Sequence, residues 1–234
     1  MSPFPSLDGP PASRFNAART LLALILSVTA ATFLTLAPLT PAKADTLRLL
    51  AFGDSLVAGY GLADRESFTV QLEAALLARG VDIQVINGGV SGDTSAGGLA
   101  RLEWALGDQP DLVLLELGAN DGLRGIDPAA TKENLADILR ELEAREIPVL
   151  LAGMYAPPNL GEDYAERFDA IYPALSDEFE IPLYPFFLEG VATDPELNQQ
   201  DGMHPNAQGV ARIVEQIVPY IVDLIEAEGL ATSS

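Results

Sequence analysis

The sequence predicts an α/β protein in which a parallel sheet carries helices on both faces. Three observations point there. Short apolar runs recur along residues 45–234, and stretches with helical periodicity lie between them. Most of the runs are nearly continuous in apolar character, as strands covered on both sides are. Five such alternations build a parallel sheet by repeated crossovers.

The expected strands are Thr46–Phe52, Asp82–Ile86, Leu112–Leu117, Ile147–Ala152 and Ile181–Tyr184. Phe68, Leu72, Ala75 and Leu76 recur at helical spacing after the first, and Leu135, Ile138, Leu139 and Leu142 do so after the third. Asp127-Pro128 before and Ile147-Pro148 after bound a helix over Lys132–Arg145. The last segment, Asn206 to Glu228, puts Val210, Ile213, Val214, Ile217, Ile221, Leu224 and Ile225 on one face, with a kink or short break expected at Pro219. Trp104 and Phe68 sit among apolar neighbours at helical spacing and are expected in the core, whereas Lys132 and Arg140 belong to a solvated helix face.

Residues 1–44 read as an address. Arg14 and Arg19 precede the apolar stretch Leu21–Leu36, and Ala42-Lys43-Ala44 closes the segment. A basic start, an apolar centre and a small-x-small exit make a secretory signal peptide cleaved before Asp45. The apolar run is shorter than the roughly 20 residues that span a bilayer. The processed protein, residues 45–234, is then expected as one exported domain, periplasmic or secreted, without a stable membrane anchor and monomeric by default.

Composition narrows the chemistry. The 234 residues hold no cysteine and one histidine. Disulfide scaffolds, thiolate sites and multi-histidine metal centres are therefore excluded. The formal net charge is −21, which argues against nucleic acid as a partner. Carboxylate sites for hard cations stay open on composition alone.

Four polar blocks fall where strands end, which is where parallel sheets gather reacting groups. They are Gly53-Asp54-Ser55-Leu56, Asn87-Gly88-Gly89-Val90-Ser91-Gly92-Asp93-Thr94, Gly118-Ala119-Asn120-Asp121 and Asp201-Gly202-Met203-His204-Pro205. A serine hydroxyl needs a base within hydrogen-bond reach, and His204 is the only imidazole. Asp201, three residues earlier, can fix its tautomer. The backbone amides of Ser55 and Gly92 and the side-chain amide of Asn120 are candidate oxyanion donors. Asp54, Asn87 and Asp93 are expected to hold their loops through backbone amides. Gly122-Leu123-Arg124-Gly125 suits either a hinged flap or a plain loop, and Met154–Leu160 is expected to rim the pocket. The Gly-x-Ser-x-Gly elbow of the larger α/β-hydrolases is absent.

These blocks, in this order, resemble those of the SGNH hydrolases, also called GDSL esterases or lipases. The likeness is closest to the bacterial periplasmic thioesterase I/lysophospholipase L1/arylesterase branch. The stretches Phe52–Tyr60, Val90–Ser95, Glu116–Gly125 and Asp201–Asn206 carry it. The resemblance implies a flavodoxin-like three-layer sandwich with five parallel strands and no cofactor. It implies Ser55 as nucleophile, His204 as base, Asp201 as its orienting partner, and Ser55, Gly92 and Asn120 as the oxyanion hole. The implied substrate is a small-molecule acyl ester or thioester, lysophospholipids included. Two other readings stay open: a carbohydrate acetylesterase with the same mechanism, and a binding module for phosphate or nucleotide. The acidic charge and the lack of Lys or Arg in the second block disfavour the latter.

Overall fold

The computed structural model describes residues 46–230. The expected leader, residues 1–44, lies outside the described residues. Five strands, β1 (Leu47–Gly53), β2 (Ile83–Gly89), β3 (Leu112–Glu116), β4 (Val149–Ala152) and β5 (Leu183–Tyr184), form one sheet in the order β2-β1-β3-β4-β5. Every neighbouring pair is parallel. This is the α/β fold that the alternation predicted.

The first crossover, through α2 (Phe68–Ala78), steps to one side of β1. The following crossovers, through α3 (Ser95–Leu106), α5 (Pro128–Ala144) and α7 (Ile171–Phe179), step to the other. Right-handed connections then put α2 on one face and α3, α5 and α7 on the opposite one. The packing agrees: α3 packs on α5 and α5 on α7, while the C-terminal helix α8 (Ala207–Ala227) packs on α2. The helices α1 (Ser55–Ala58), α4 (Ala119–Leu123) and α6 (Glu162–Asp169) are short and lie in the connections.

The strand bounds differ from expectation in instructive ways. β2 continues through Asn87-Gly88-Gly89, a segment expected as loop. Gly53 pairs with Gly89 across the ladder, and a Cβ on Gly89 would meet Ala58 N at 2.2 Å. The glycines therefore serve close packing of strand against α1, not a turn. The strands β4 and β5 begin after Pro148 and Pro182, which cannot donate to a ladder. Helix α5 starts at Pro128, with Asp127 accepting from Ala129 N–H at its N-terminus.

One helix expectation is corrected at Trp104 and another in part at Pro219. Pro219 lies inside α8, and the helix continues through it without a break. The ring costs about 3 kcal/mol in a helix interior, but Ile217, Val218, Ile221, Leu224 and Ile225 are buried on either side, and their burial at roughly 2 kcal/mol each outweighs that cost. Trp104 is 78% exposed. The buried stripe of α3 runs through Ser95, Gly98, Leu102, Ala105 and Leu106, and residue 104 falls outside it. Phe68 is buried as expected.

Candidate active site

Register decides what meets at the upper edge of the sheet. Gly53 is level with Gly89 on one side and Glu116 on the other, and Glu116 is level with Ala152. The segments that follow β1, β2, β3 and β4 thus leave the sheet side by side. The strand order reverses between β1 and β3, and such a switch point opens a crevice.

Ser55 opens α1 directly after β1. Asp54 caps that helix, its Oδ1 accepting from Leu56 N–H at 3.0 Å, and Gly59 ends it with φ +78°. His204 arrives from the other end of the chain on a small hairpin. Asn198 and Pro205 bridge in antiparallel fashion, and Gln199 N–H donates to His204 O at 2.7 Å. The Gln199 side-chain amide donates to Tyr60 O at 2.8 Å and to Pro205 O at 3.0 Å. Gln199 therefore ties the hairpin to the segment that carries Ser55.

The structure brings Ser55, His204 and Asp201 together. Ser55 Oγ lies 2.9 Å from His204 Nε2, and His204 Nδ1 lies 2.7 Å from Asp201 Oδ2. The other carboxylate oxygen, Oδ1, accepts from Met203 N–H at 2.9 Å and His204 N–H at 3.0 Å. The His204 N–H first, then the Met203 N–H and the imidazole, hold the Asp201 carboxyl down to about 2. The group is an ionised acceptor that fixes the proton of the ring on Nδ1 and leaves Nε2 free to accept from the hydroxyl.

Asn120 sits at the start of α4 and shares a cleft with Ser55. Its side-chain amide donates to Asp54 Oδ2 at 2.8 Å, which leaves a second N–H on the same nitrogen. Gly92 lies on the loop after β2 at φ +82°, and its carbonyl accepts from Arg124 at 2.6 Å. The cleft holds about 240 Å³ and is lined on its apolar side by Leu56, Leu123, Met154, Tyr155, Pro157 and Phe186. Of the rim expected over Met154–Leu160, Met154, Tyr155 and Pro157 line the cleft, and Leu123, at the end of α4, joins them. A cleft of about 270 Å³ at the opposite end of the sheet is bordered by Glu143, Glu146, Glu180 and Glu228 and lacks any hydroxyl or imidazole.

Asp54 and Asn87 hold backbone amides as expected, Asn87 Oδ1 accepting from Gly89 N–H at 2.9 Å. Asp93 does otherwise. Its Oδ2 accepts from Arg101 Nε at 2.6 Å, and the same guanidinium donates to Gly53 O at 2.9 Å while lying over the Phe52 ring. A cation nearly two turns into α3 is a stronger partner for a carboxylate than a loop amide.

Two contributors were not singled out from the sequence. Tyr60 packs on the His204 ring, with centroids 4.6 Å apart. Glu116 ends β3 with no exposed surface, its Oε2 accepting from Asp54 N–H at 3.2 Å. Burial pushes Asp54 up to about 6 against the pull of Leu56 N–H and Asn120. Burial first, and then the Asp54 charge, pushes Glu116 well above the ordinary glutamate value. An acid inside the apolar run Leu112–Leu117 was the available signal, since a buried carboxyl needs a reason.

A hydroxyl, an imidazole and a carboxylate in a chain at a strand-end switch point form the layout of an acyl-transfer hydrolase. Residues 51–212 match the GDSL-like Lipase/Acylhydrolase family, and the chain belongs to that family. It is 42% identical over 185 residues to an arylesterase of Vibrio mimicus, covering 79% of this chain and 92% of that one. It is 41% identical over 194 residues to the thioesterase 1/protease 1/lysophospholipase L1 of Escherichia coli K12, covering 82% and 91%. Among solved structures it is similar to AlinE4, an SGNH-hydrolase family esterase, at 49% identity and a TM-score of 0.66, covering 76% of this chain and 96% of that one. The protein is an ester hydrolase.

Proposed function

We propose that this hydrolase works through Ser55, His204 and Asp201 and an acyl-enzyme intermediate. The observation that carries the reading is the continuous chain Ser55 Oγ to His204 Nε2 and His204 Nδ1 to Asp201 Oδ2, at 2.9 and 2.7 Å. Ser55 attacks the carbonyl carbon of the substrate while His204 takes the hydroxyl proton. The resulting oxyanion is held by the backbone N–H groups of Ser55 and Gly92 and by the free N–H of Asn120. His204 then gives the proton to the leaving alcohol or thiol. Water, deprotonated by the same ring, releases the acid and regenerates Ser55. Asp201 stays ionised throughout and supports the imidazolium that forms at each step.

The substrates proposed are carboxylic esters, acyl thioesters and lysophospholipids. The apolar cleft wall formed by Leu56, Leu123, Met154 and Phe186 supports an acyl chain more readily than a sugar. Residues 1–44 are proposed as a cleaved export signal, with residues 45–234 acting as a monomer outside the cytoplasm. No helix among the described residues is long and apolar enough to cross a membrane.

The test is direct. Ser55→Ala lowers turnover of p-nitrophenyl acetate by several orders of magnitude, as removal of a triad member does, and abolishes covalent labelling by a fluorophosphonate. Wild-type turnover in that variant overturns the reading. A panel of acyl esters and thioesters of graded chain length then separates acyl-chain specificity from acetyl-carbohydrate specificity.

A further inference from the structure

Beneath the Ser55 turn, two carboxyl groups touch without a cation between them. Asp54 and Glu116 are both fully buried and lie within hydrogen-bonding reach of one another. Their donor sets are unequal. Both oxygens of Asp54 accept an N–H, from Leu56 at 3.0 Å and from Asn120 at 2.8 Å. Glu116 has the longer bond from Asp54 N–H, at 3.2 Å, and its Oε1 has no donor.

The surrounding groups do not supply what is missing. Tyr172, from α7, donates its hydroxyl to Leu117 O at 2.9 Å. Asp121, from α4, accepts from Ser95 and Thr131. Arg101, from α3, gives Nε to Asp93 and Nη2 to Gly53 O, and its buried Nη1 bonds neither Asp54 nor Glu116. His204, across the cleft, is held between Ser55 and Asp201. Two ionised carboxylates at this separation repel, so one proton belongs to the pair. The oxygen without a donor is where its loss would cost most. Gly53 makes the arrangement possible, because a Cβ there would lie 2.6 Å from Glu116 Oε2.

We propose that Glu116 is a positioning residue for ester hydrolysis: its carboxyl stays protonated and donates to the Asp54 carboxylate, which in turn fixes the Asn120 amide and the Leu56 N–H beside Ser55. The proton is held, not transferred, during the reaction. Asp54 carries the charge, and its three acceptor contacts lock one N–H of Asn120, so that the other is ready for the oxyanion. The inference rests on the role proposed above for Ser55 and Asn120.

The test uses the full chain with p-nitrophenyl acetate as substrate and a fluorophosphonate as an independent label. Glu116→Leu removes the donor and lowers kcat on the order of 10–100-fold, as loosening of a reacting geometry does, with KM little changed. Glu116→Gln restores most of that loss, because its amide N–H donates to Asp54 and its carbonyl accepts from Asp54 N–H. Placed in Asn120→Ala, Glu116→Leu costs far less than it does alone, since the group it acts through is gone. The acid midpoint of the kcat profile stays in place in Glu116→Gln, because no charge has been removed.

Three results would overturn the inference: a Gln variant as damaged as the Leu variant, an acid midpoint displaced to lower pH in the Gln variant, or a full loss repeated in the Asn120→Ala background. Where Glu116→Leu does not fold, as judged by circular dichroism, the isosteric Gln variant and its pH profile decide. A wild-type protein that fails to take the fluorophosphonate sinks the serine reading instead, and so separates the two failures.

Discussion

The phenol ring of Tyr60 lies against the imidazole of His204, with centroids 4.6 Å apart and planes tilted by 37°. Tyr60 is anchored on both sides of its own backbone. Its N–H donates to Ser55 O at 3.1 Å, and its carbonyl accepts from Gln199. The ring is therefore tied to the Ser55 turn and lies against the imidazole.

A tilted aromatic pair adds about 1 kcal/mol beyond simple burial, and here that contact holds the imidazole in place against Ser55. Tyr60→Ala is expected to lower kcat about fivefold, and Tyr60→Phe, which keeps the face, is expected to lose little. Steady-state kinetics on a p-nitrophenyl ester checks both. Equal losses in the two variants would assign the effect to the hydroxyl.

Asp201→Asn is expected to lower kcat by about 10²–10⁴-fold, because an amide can donate to the ring and select the wrong tautomer. The same carboxyl has a pH signature. Its folded value of about 2 lies below the ordinary 3.8, so its contribution to stability is present above 3.8 and is lost as pH falls through about 2. The stability difference between wild type and Asp201→Asn, measured by denaturant unfolding, should shrink across that window.

Asp54 has the opposite sign. Its folded value of about 6 lies above 3.8, so the buried charge costs stability above pH 6 and the cost has vanished below pH 3.8. The shift corresponds to a penalty on the order of 3 kcal/mol at neutral pH. The melting temperature of Asp54→Asn relative to wild type should therefore be more favourable at pH 7 than at pH 4. In wild type, protonation of Asp54 also weakens its hold on Asn120, and kcat should fall on the acid side near pH 6.

Asp121, adjacent to Asn120, is a buried acceptor for Ser95 N–H at 2.8 Å, Ser95 Oγ at 2.5 Å and Thr131 Oγ1 at 3.1 Å. It joins the starts of α3, α4 and α5. Asp121→Ala strands those donors and should cost about 2–4 kcal/mol. A lower urea midpoint at unchanged slope is the expected readout.

The alternation of apolar runs and helical stretches was legible because buried parallel strands leave little room for polar residues. The candidate site was legible for a different reason. A hydroxyl directly after the first strand needs a base, and the chain offers one imidazole, with a carboxylate three residues before it. What the sequence concealed depends on distance across the fold. Nothing in Tyr60 announces that it will meet a ring 144 positions later. The Asn-Gly-Gly segment reads as a turn, yet close packing against α1 makes it strand. Trp104 shares its window with apolar neighbours, but only the helix phase, fixed by Gly98 and Leu102 against the sheet, determines that it faces outward.

That outward-facing indole has a practical corollary for spectroscopy. It is the single tryptophan of the chain, and it is already bathed in solvent in the native state. Its emission should be red-shifted before any denaturant is added and should change little on unfolding. Fluorescence quenching by acrylamide would reveal this at once, and ellipticity is the signal to follow when the unfolding of variants is compared.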